Sequence, residues 1–177
     1  MITLVLGGTR SGKSEVAESL AADAADAAGD SRVTYVATGS PSDADMAARI
    51  AAHRARRPAG WATVEAATDL PDVLAAVAGP AIVDSLGAWV ATHPDLRPDA
   101  AGLCRAIGGR AADTIVVSEE VGLGVHAPTE AGRRFADALG ELNRAVAEIA
   151  DDVLLVVAGR VLRLARVERH GGPAPTV

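Results

Sequence analysis

A stretch near the N-terminus has the residue types and the spacing of a phosphate-binding loop. It reads Gly7-Gly8-Thr9-Arg10-Ser11-Gly12-Lys13-Ser14, in which a glycine is followed after four residues by Gly-Lys-Ser. In such a P-loop, backbone N–H groups bind phosphate oxygens, and the N-terminus of the next helix adds partial positive charge. Lys13 would contact the outer phosphates, and the Ser14 hydroxyl would bind Mg²⁺. The stretch predicts a site for a nucleoside triphosphate, with an ordinary glycine turn as the disfavoured alternative.

The elements on either side of this loop are those that a P-loop requires. The apolar run 2–6 is typical of a buried strand, and residues 13–28 have the pattern of a helix. A second predicted strand, residues 33–37, ends in Thr38-Gly39. Both strands lead into small, polar loops at their carboxyl ends, and this edge is where open parallel sheets bind ligands.

The rest of the chain alternates between strand-like and helix-like segments. This alternation indicates one α/β domain over residues 1–168, with a mostly parallel central sheet and helices on both faces. The tail 169–177 contains Gly and Pro without periodicity, so we expect it to be disordered. Further strands are predicted at 61–65, 81–84, 114–118, 153–158 and 161–164, and helices at 42–57, 69–77, 87–92, 101–107 and 129–149.

Composition limits the classes of function. The chain has 177 residues, enough for one domain with a sizeable core, and that core must be aliphatic because only 2% of the residues are aromatic. A net charge of −6 argues against a general nucleic-acid binder, which needs a basic surface. We recognise no signal peptide and no transmembrane segment, and therefore expect a cytoplasmic protein. The single cysteine, Cys104, excludes an intrachain disulfide.

Two residues outside the loop have the chemistry to complete a nucleotide site. Asp84 ends the predicted strand 81–84, where an acid of a P-loop protein holds Mg²⁺; the alternative is a cap for the next helix. His53 lies among arginines on the predicted helix 42–57. Their charge disfavours its protonated form and leaves a neutral nitrogen as nucleophile or base. From the residues alone, a solvated basic helix is the simpler interpretation.

Three other acids follow predicted strands and are weaker candidates. Glu65 ends the strand 61–65, where it would bind a base or a ribose, or simply face solvent; the residues alone favour solvent. Glu119 and Glu120 follow the strand 114–118, beside the predicted site. A role in the site and a place in an ordinary loop are equally compatible with both.

Several segments, taken together, resemble those of one enzyme family. Two of them are specific to it: Arg-Ile-Ala-Ala-His-Arg-Ala-Arg-Arg-Pro at 49–58 and Glu-Val-Gly-Leu-Gly at 120–124. The family is the bifunctional adenosylcobinamide kinase / adenosylcobinamide-phosphate guanylyltransferase of cobalamin biosynthesis, and the resemblance runs from Met1 to about Leu164. The other matching segments are residues 4–14, 35–38, 45–48, 83–86 and 132–143, together with Trp61 and Glu65.

The resemblance implies two reactions. In the first, the hydroxyl of the aminopropanol arm of adenosylcobinamide takes the γ-phosphoryl group of ATP or GTP. In the second, GTP transfers GMP to adenosylcobinamide phosphate, which gives adenosylcobinamide-GDP and pyrophosphate. Family members pass the GMP through a covalent histidine, and His53 is the matching position. The resemblance also implies a RecA-like nucleotide-binding sheet and a homotrimer.

The resemblance extends to individual residues of the site. It implies His53 and Lys13 as catalytic residues, and Ser14 and Asp84 as the residues that hold Mg²⁺. The arginines after His53 would neutralise phosphate charge. The implied nucleotide-binding positions are Gly7, Gly8, Thr9, Arg10, Ser11, Gly12, Lys13, Ser14, Ala37, Thr38, Gly39, Arg54, Ala55, Arg56, Arg57, Glu65 and Asp84.

The chain departs from the family pattern at two positions. Many members carry Asn where Glu119 stands, and several have Thr near Gly87; we expect neither departure to touch the P-loop or His53. Some members transfer GMP but lack kinase activity, and the intact P-loop favours both activities here. Two other functions compatible with a P-loop are a different small-molecule kinase and a nucleotide-dependent switch. The basic segment around His53 disfavours the switch, which does not need it.

Overall fold

The structure is a computed structural model. It describes residues 1–29, 31–39, 57–125 and 127–166. Of the predicted helix 42–57, only Arg57 falls within these ranges, and the tail 169–177 lies outside them. The predicted domain boundaries therefore stay a prediction.

Strands and helices alternate along the described chain, as predicted. The strands are β1 (Ile2–Gly7), β2 (Thr34–Ala37), β3 (Ala62–Glu65), β4 (Ala81–Asp84), β5 (Thr114–Glu119), β6 (Asp152–Val157) and β7 (Arg160–Arg163). The helices are α1 (Lys13–Ala27), α2 (Leu70–Ala76), α3 (Leu86–Ala91), α4 (Ala100–Gly108) and α5 (Glu130–Ile149).

The strands form one sheet of seven strands, in the order β3-β2-β4-β5-β1-β6-β7. Neighbouring strands are parallel except β6 and β7, which are antiparallel. The predicted α/β fold with a mostly parallel sheet is thus confirmed. Because β5 lies between β1 and β4, the P-loop strand and the strand of Asp84 end at the same edge, one strand apart.

One face of the sheet is covered by α1. The buried residues of this helix are Ala17, Ala21 and Ala25, which recur at every fourth position and so form one stripe. They share a hydrophobic cluster with Val5 and Ile82 of the sheet. Small alanine side chains let the helix backbone come close to the strands, so this layer is packed without large side chains from the helix.

The opposite face is covered by the other helices and contains the larger side chains. Trp89 of α3 and Leu139 of α5 are fully buried there, in one cluster with Leu4 of β1. The aliphatic core predicted from composition is therefore confirmed, with Trp89 as an aromatic exception. Among the described helices, not one combines the length and the apolar character needed to cross a membrane.

A two-residue turn joins β6 to β7. Val157 pairs with Arg160 across the hairpin, and the intervening Ala158 and Gly159 have φ angles of 50° and 71°. Positive φ at both turn residues is the geometry that matches the twist of a tight hairpin. The strand predicted at 153–158 was wrong at its end, since Ala158 is a turn residue; an alanine gives no local signal for positive φ.

Arg110 connects α2 to the start of β5. Its guanidinium donates from Nη1 to the carbonyl oxygens of Leu74 and Val77, at 2.8 and 2.5 Å, and from Nη2 to that of Gly79 at 2.6 Å. Its Nε donates to Thr114 Oγ1 at 2.9 Å. Burial lowers the pKa of Arg110 from its usual value. One half-buried side chain thus satisfies carbonyl groups at the end of α2 and fixes that end to the sheet.

We expect Arg110→Lys to lower the free energy of unfolding by about 2 kcal/mol, because a lysine cannot reproduce the planar fork of donors. Urea unfolding followed by circular dichroism measures this. The matched control is Arg105→Lys on α4, where the side chain is 74% exposed. Equal stability of the two variants would contradict the role of Arg110.

Candidate nucleotide-binding site

The P-loop leaves β1 at Gly7 and enters α1 at Lys13. A Cβ at Gly7 would lie 2.5 Å from Ser11 Oγ and 2.8 Å from the carbonyl oxygen of Val156, so a larger residue does not fit there. Gly12, directly before α1, has a φ of 94°, which favours glycine. Two glycines of the motif are therefore required by geometry, one for space and one for backbone conformation.

The turn between β6 and β7 holds the far side of the loop. The Gly159 N–H donates to the Ser11 carbonyl oxygen at 2.8 Å. A Cβ at Gly12 would lie 3.4 Å from the Gly159 Cα, so the loop and the turn are in close backbone contact. The hairpin thus fixes the P-loop against the sheet.

Lys13 folds back over the loop. Its Nζ lies 3.4 Å from the Gly8 carbonyl oxygen, to which it donates, and 3.8 Å from Glu119 Oε1. The side chain is only 13% exposed. The cation therefore lies over the loop, where the P-loop lysine meets the outer phosphates of a triphosphate.

Ser14, Asp84 and Tyr35 form a small hydrogen-bonded group beside the loop. Ser14 Oγ donates to Asp84 Oδ2 at 3.2 Å, and the Tyr35 hydroxyl donates to the same oxygen. Burial, and next the charge of Asp84, raise the pKa of Tyr35 well above its usual value, so its hydroxyl stays a donor. The P-loop serine and the acid at the end of β4, predicted separately from sequence, are in contact.

The comparison with known proteins covers the same residues. The family described as cobinamide kinase / cobinamide phosphate guanyltransferase matches residues 3–164 of this chain. The chain belongs to this family. Bifunctional adenosylcobalamin biosynthesis protein CobP of Pseudomonas aeruginosa is 40% identical to it, over 90% of this chain and 94% of that protein. Bifunctional adenosylcobalamin biosynthesis proteins CobU of Salmonella typhimurium and Escherichia coli are each 34% identical, over 90% of this chain and 97% of each relative.

The family resemblance inferred from the motifs is thus confirmed. In the P-loop site of this chain, two side chains fit a magnesium ion. A serine hydroxyl and a carboxylate are hard oxygen ligands of the kind that Mg²⁺ prefers. Ser14 and Asp84 supply both within 3.2 Å of each other. Across the described ranges, no three His, Cys, Asp or Glu side chains converge on one point. The ion would therefore need phosphate oxygens and waters as its other ligands, as is usual for Mg²⁺ with nucleotides.

The predicted positions at the end of β2 lie next to Asp84. The Thr38 N–H donates to the Asp84 carbonyl oxygen at 3.2 Å, and Thr38 Oγ1 donates to that of Ser85 at 2.6 Å. Gly39 is exposed, and a Cβ there would lie 3.3 Å from Ala88 Cβ. Thr38 therefore fixes the turn after β4 with its hydroxyl, and Ala37 and Gly39 supply the adjoining surface.

The remaining predicted positions are placed in part. Arg57 stacks on Tyr35, with its guanidinium carbon 3.2 Å from the ring centroid, and donates to Thr63 Oγ1 at 3.3 Å. Glu65 ends β3 at the same edge of the sheet and is exposed. Their roles in nucleotide binding stay predictions. His53, Arg54, Ala55 and Arg56 lie outside the described residues.

For two residues of the site, the sequence predicted no definite role. Tyr35 is the only tyrosine of the chain and lies in an apolar strand. A buried tyrosine hydroxyl usually has a hydrogen-bond partner, so a tyrosine in an apolar strand indicates a polar group nearby. For Glu119, the sequence was equally compatible with a role in the site and with an ordinary loop, and the structure places its Oε1 3.8 Å from Lys13 Nζ. The expectation that Glu119 does not touch the P-loop was therefore wrong, because β5 lies directly beside β1 and their ends meet.

We expect Tyr35→Phe to raise the Mg²⁺ concentration needed for half-maximal binding of a non-hydrolysable GTP analogue by about threefold to tenfold. Phenylalanine keeps the ring under Arg57 and removes only the hydroxyl that orients Asp84. Calorimetric titration at several Mg²⁺ concentrations measures this. In EDTA the two proteins should bind the analogue alike, and an unchanged Mg²⁺ dependence would show that Tyr35 does not orient Asp84.

Proposed function

We propose that this protein is a bifunctional enzyme of cobalamin biosynthesis that phosphorylates adenosylcobinamide and then transfers GMP to the product. The observation that carries the proposal is the assembled P-loop, with Lys13 over the loop and Ser14 bonded to Asp84, in a chain of this family. The relatives named above are described as bifunctional adenosylcobalamin biosynthesis proteins.

In the kinase step, the hydroxyl oxygen of the adenosylcobinamide side arm attacks the γ-phosphorus of ATP or GTP. The new oxygen–phosphorus bond forms as the bond to the β-phosphate oxygen breaks, and the nucleoside diphosphate leaves. The hydroxyl proton passes to solvent. Lys13 neutralises charge on the outer phosphates. Mg²⁺, held by Ser14 and Asp84, would supply further charge neutralisation when bound.

In the guanylyl-transfer step, a neutral imidazole nitrogen of His53 attacks the α-phosphorus of GTP, and pyrophosphate leaves. The phosphorus–nitrogen bond of this intermediate breaks when a phosphate oxygen of adenosylcobinamide phosphate attacks, which gives adenosylcobinamide-GDP and restores the histidine. Arg57, which follows His53 by four positions in the sequence, rests on Tyr35, and Tyr35 bonds to Asp84. This contact supports a functional connection between the basic segment and the P-loop.

We also propose a cytoplasmic homotrimer. The hairpin of β6 and β7 supports oligomer formation, because Val157 and Leu162, which lie on the same face of it, are 58% and 59% exposed. Exposed apolar side chains that are neighbours in a sheet mark surfaces that bind other proteins. A second copy of this chain is the partner that the proposed trimer requires.

A covalent intermediate on His53 is the sharpest test of the guanylyl transfer. GTP labelled at the α-phosphate should give labelled protein whose label is lost in acid and kept in alkali, because a phosphorus–nitrogen bond has that stability. His53→Ala should abolish the label, whereas the control His170→Ala should keep it. Absence of label, or full label in His53→Ala, would rule out the histidine mechanism.

The two activities should separate by mutation. Lys13→Ala should lower both by about 100-fold or more, because both steps develop charge on phosphates that Lys13 contacts. His53→Ala should leave the kinase rate within about twofold and abolish guanylyl transfer from GTP to adenosylcobinamide phosphate. Assays with adenosylcobinamide and with its phosphate measure the two steps independently.

The same pair of assays discriminates the alternatives. A protein that transfers GMP but never phosphorylates adenosylcobinamide is a guanylyltransferase only. One that phosphorylates another small molecule, with no label from α-labelled GTP, is a different P-loop kinase. Nucleotide-dependent partner binding without any group transfer would indicate a switch.

A further inference from the structure

Glu119 ends β5, the strand between the P-loop strand β1 and the strand of Asp84. Its backbone is fixed on two sides. Its carbonyl oxygen accepts a hydrogen bond from Asn143 Nδ2 at 3.0 Å, and the next residue, Glu120, donates its N–H to the Gly7 carbonyl oxygen at 3.2 Å. The side chain therefore leaves the sheet from a fixed point next to the start of the P-loop.

The two oxygens of the Glu119 carboxylate have different partners. Oε2 accepts hydrogen bonds from Ser85 Oγ and from the Gly87 N–H, both at 3.1 Å. Oε1 lies 3.8 Å from Lys13 Nζ. One oxygen is thus held by the turn after β4, and the other faces the lysine of the P-loop.

Gly87 makes this arrangement possible. A Cβ at that position would lie 2.2 Å from Glu119 Oε2 and 3.0 Å from its carboxyl carbon, closer than real Cβ atoms approach. Gly87 lies in α3 and its φ is not positive, so backbone conformation does not call for glycine. The carboxylate occupies the space of a side chain, so a side chain at this position would have to displace it.

We propose that Glu119 is a positioning residue of the nucleotide site, whose carboxylate faces Lys13 and competes with the outer phosphates for it. Because Gly87 has no side chain, the Glu119 carboxylate has room in this position. The inference rests on the proposed triphosphate site at the P-loop. A triphosphate brings negative charge to Lys13, and a fixed carboxylate about 4 Å from that lysine repels it. Glu119 thereby weakens nucleotide binding and favours release.

Glu119→Gln tests the charge. Glutamine keeps the length of the side chain and an oxygen that accepts from Ser85 and Gly87, but removes the negative charge that faces Lys13. We expect the Kd for a non-hydrolysable ATP analogue with Mg²⁺ to fall by roughly threefold to tenfold, after allowance for solvent screening. The fall in Kd should be smaller for ADP, because ADP lacks the outermost phosphate. Calorimetric titration measures both.

The matched control is Glu141→Gln on α5, an exposed position where the same formal charge is lost. It should leave both affinities unchanged. Binding by Glu119→Gln that is no tighter than that of the unmodified protein would overturn the proposal. A purely structural role for Glu119 would lower the melting temperature without the difference between ATP analogue and ADP, and would overturn it too.

Gly87→Ala tests the space. In the unmodified background it should lower the melting temperature by about 5 °C, because the methyl group displaces the carboxylate. In a Glu119→Asn background the loss should be half or less, since the shorter side chain leaves room. The control Gly140→Ala, on α5, places its Cβ in open space and should not lower the melting temperature. Equal losses from Gly87→Ala in both backgrounds would overturn this part of the proposal.

These outcomes are distinct from failure of the proposed function. If the unmodified protein binds no triphosphate, the nucleotide site itself is wrong and the inference falls with it. If the unmodified protein binds triphosphate and Glu119→Gln binds it no more tightly, only the role of Glu119 is overturned. Neither measurement requires a corrinoid substrate.

Discussion

The hydrogen bond from Ser14 to Asp84 joins the first turn of α1 to the end of a strand 70 positions later in the sequence. It depends on the register of the sheet, in which Val117 of β5 pairs with both Val5 of β1 and Asp84. Side chains alternate between faces along a strand, so Asp84 lies on the same face as Ile82, which packs in the cluster of α1. A shift of one residue would turn the carboxylate to the other face, away from Ser14.

The close packing of side chains at this sheet edge also follows from the arrangement of the strands. Parallel strands β1, β5 and β4 end side by side, so the turns that follow them are adjacent and their side chains pack closely against one another. Gly7 and Gly87 are the positions at which a neighbour already fills the space of a side chain, Ser11 in one case and Glu119 in the other. Tyr35 and Thr38 add hydrogen bonds from β2. Several polar groups of the site are thus hydrogen-bonded to one another, which fixes their relative positions.

Local patterns predicted most of the described fold, because strand and helix periods and the P-loop spacing are local properties. Apolar runs found each strand within one or two residues, and Asp84 was recognised as a strand end. The order of strands is not local, so the sequence does not predict the contact of Glu119 with Lys13, although each residue is a candidate for the site. For the same reason, Gly87 and Glu119 were named as two separate departures from the family, whereas the structure places them in contact. Arg57 is a predicted nucleotide-binding residue, and no sequence pattern signals its stacking on Tyr35.

On the proposed function, one P-loop serves two transfers at different phosphorus atoms. This limits which residues can determine the phosphorus atom that is attacked. On this proposal, Lys13 and a Mg²⁺ ion held by Ser14 and Asp84 would neutralise phosphate charge in both steps. Such charge neutralisation would lower the barrier for attack at either phosphorus atom without selecting between the two. The selection must come from the nucleophile: the acceptor hydroxyl at the γ-phosphorus, or His53 at the α-phosphorus. We therefore infer that selection between the two transfers depends on the segment that carries His53 and on the surface that binds the acceptor, whereas the P-loop would supply the charge neutralisation that both transfers require.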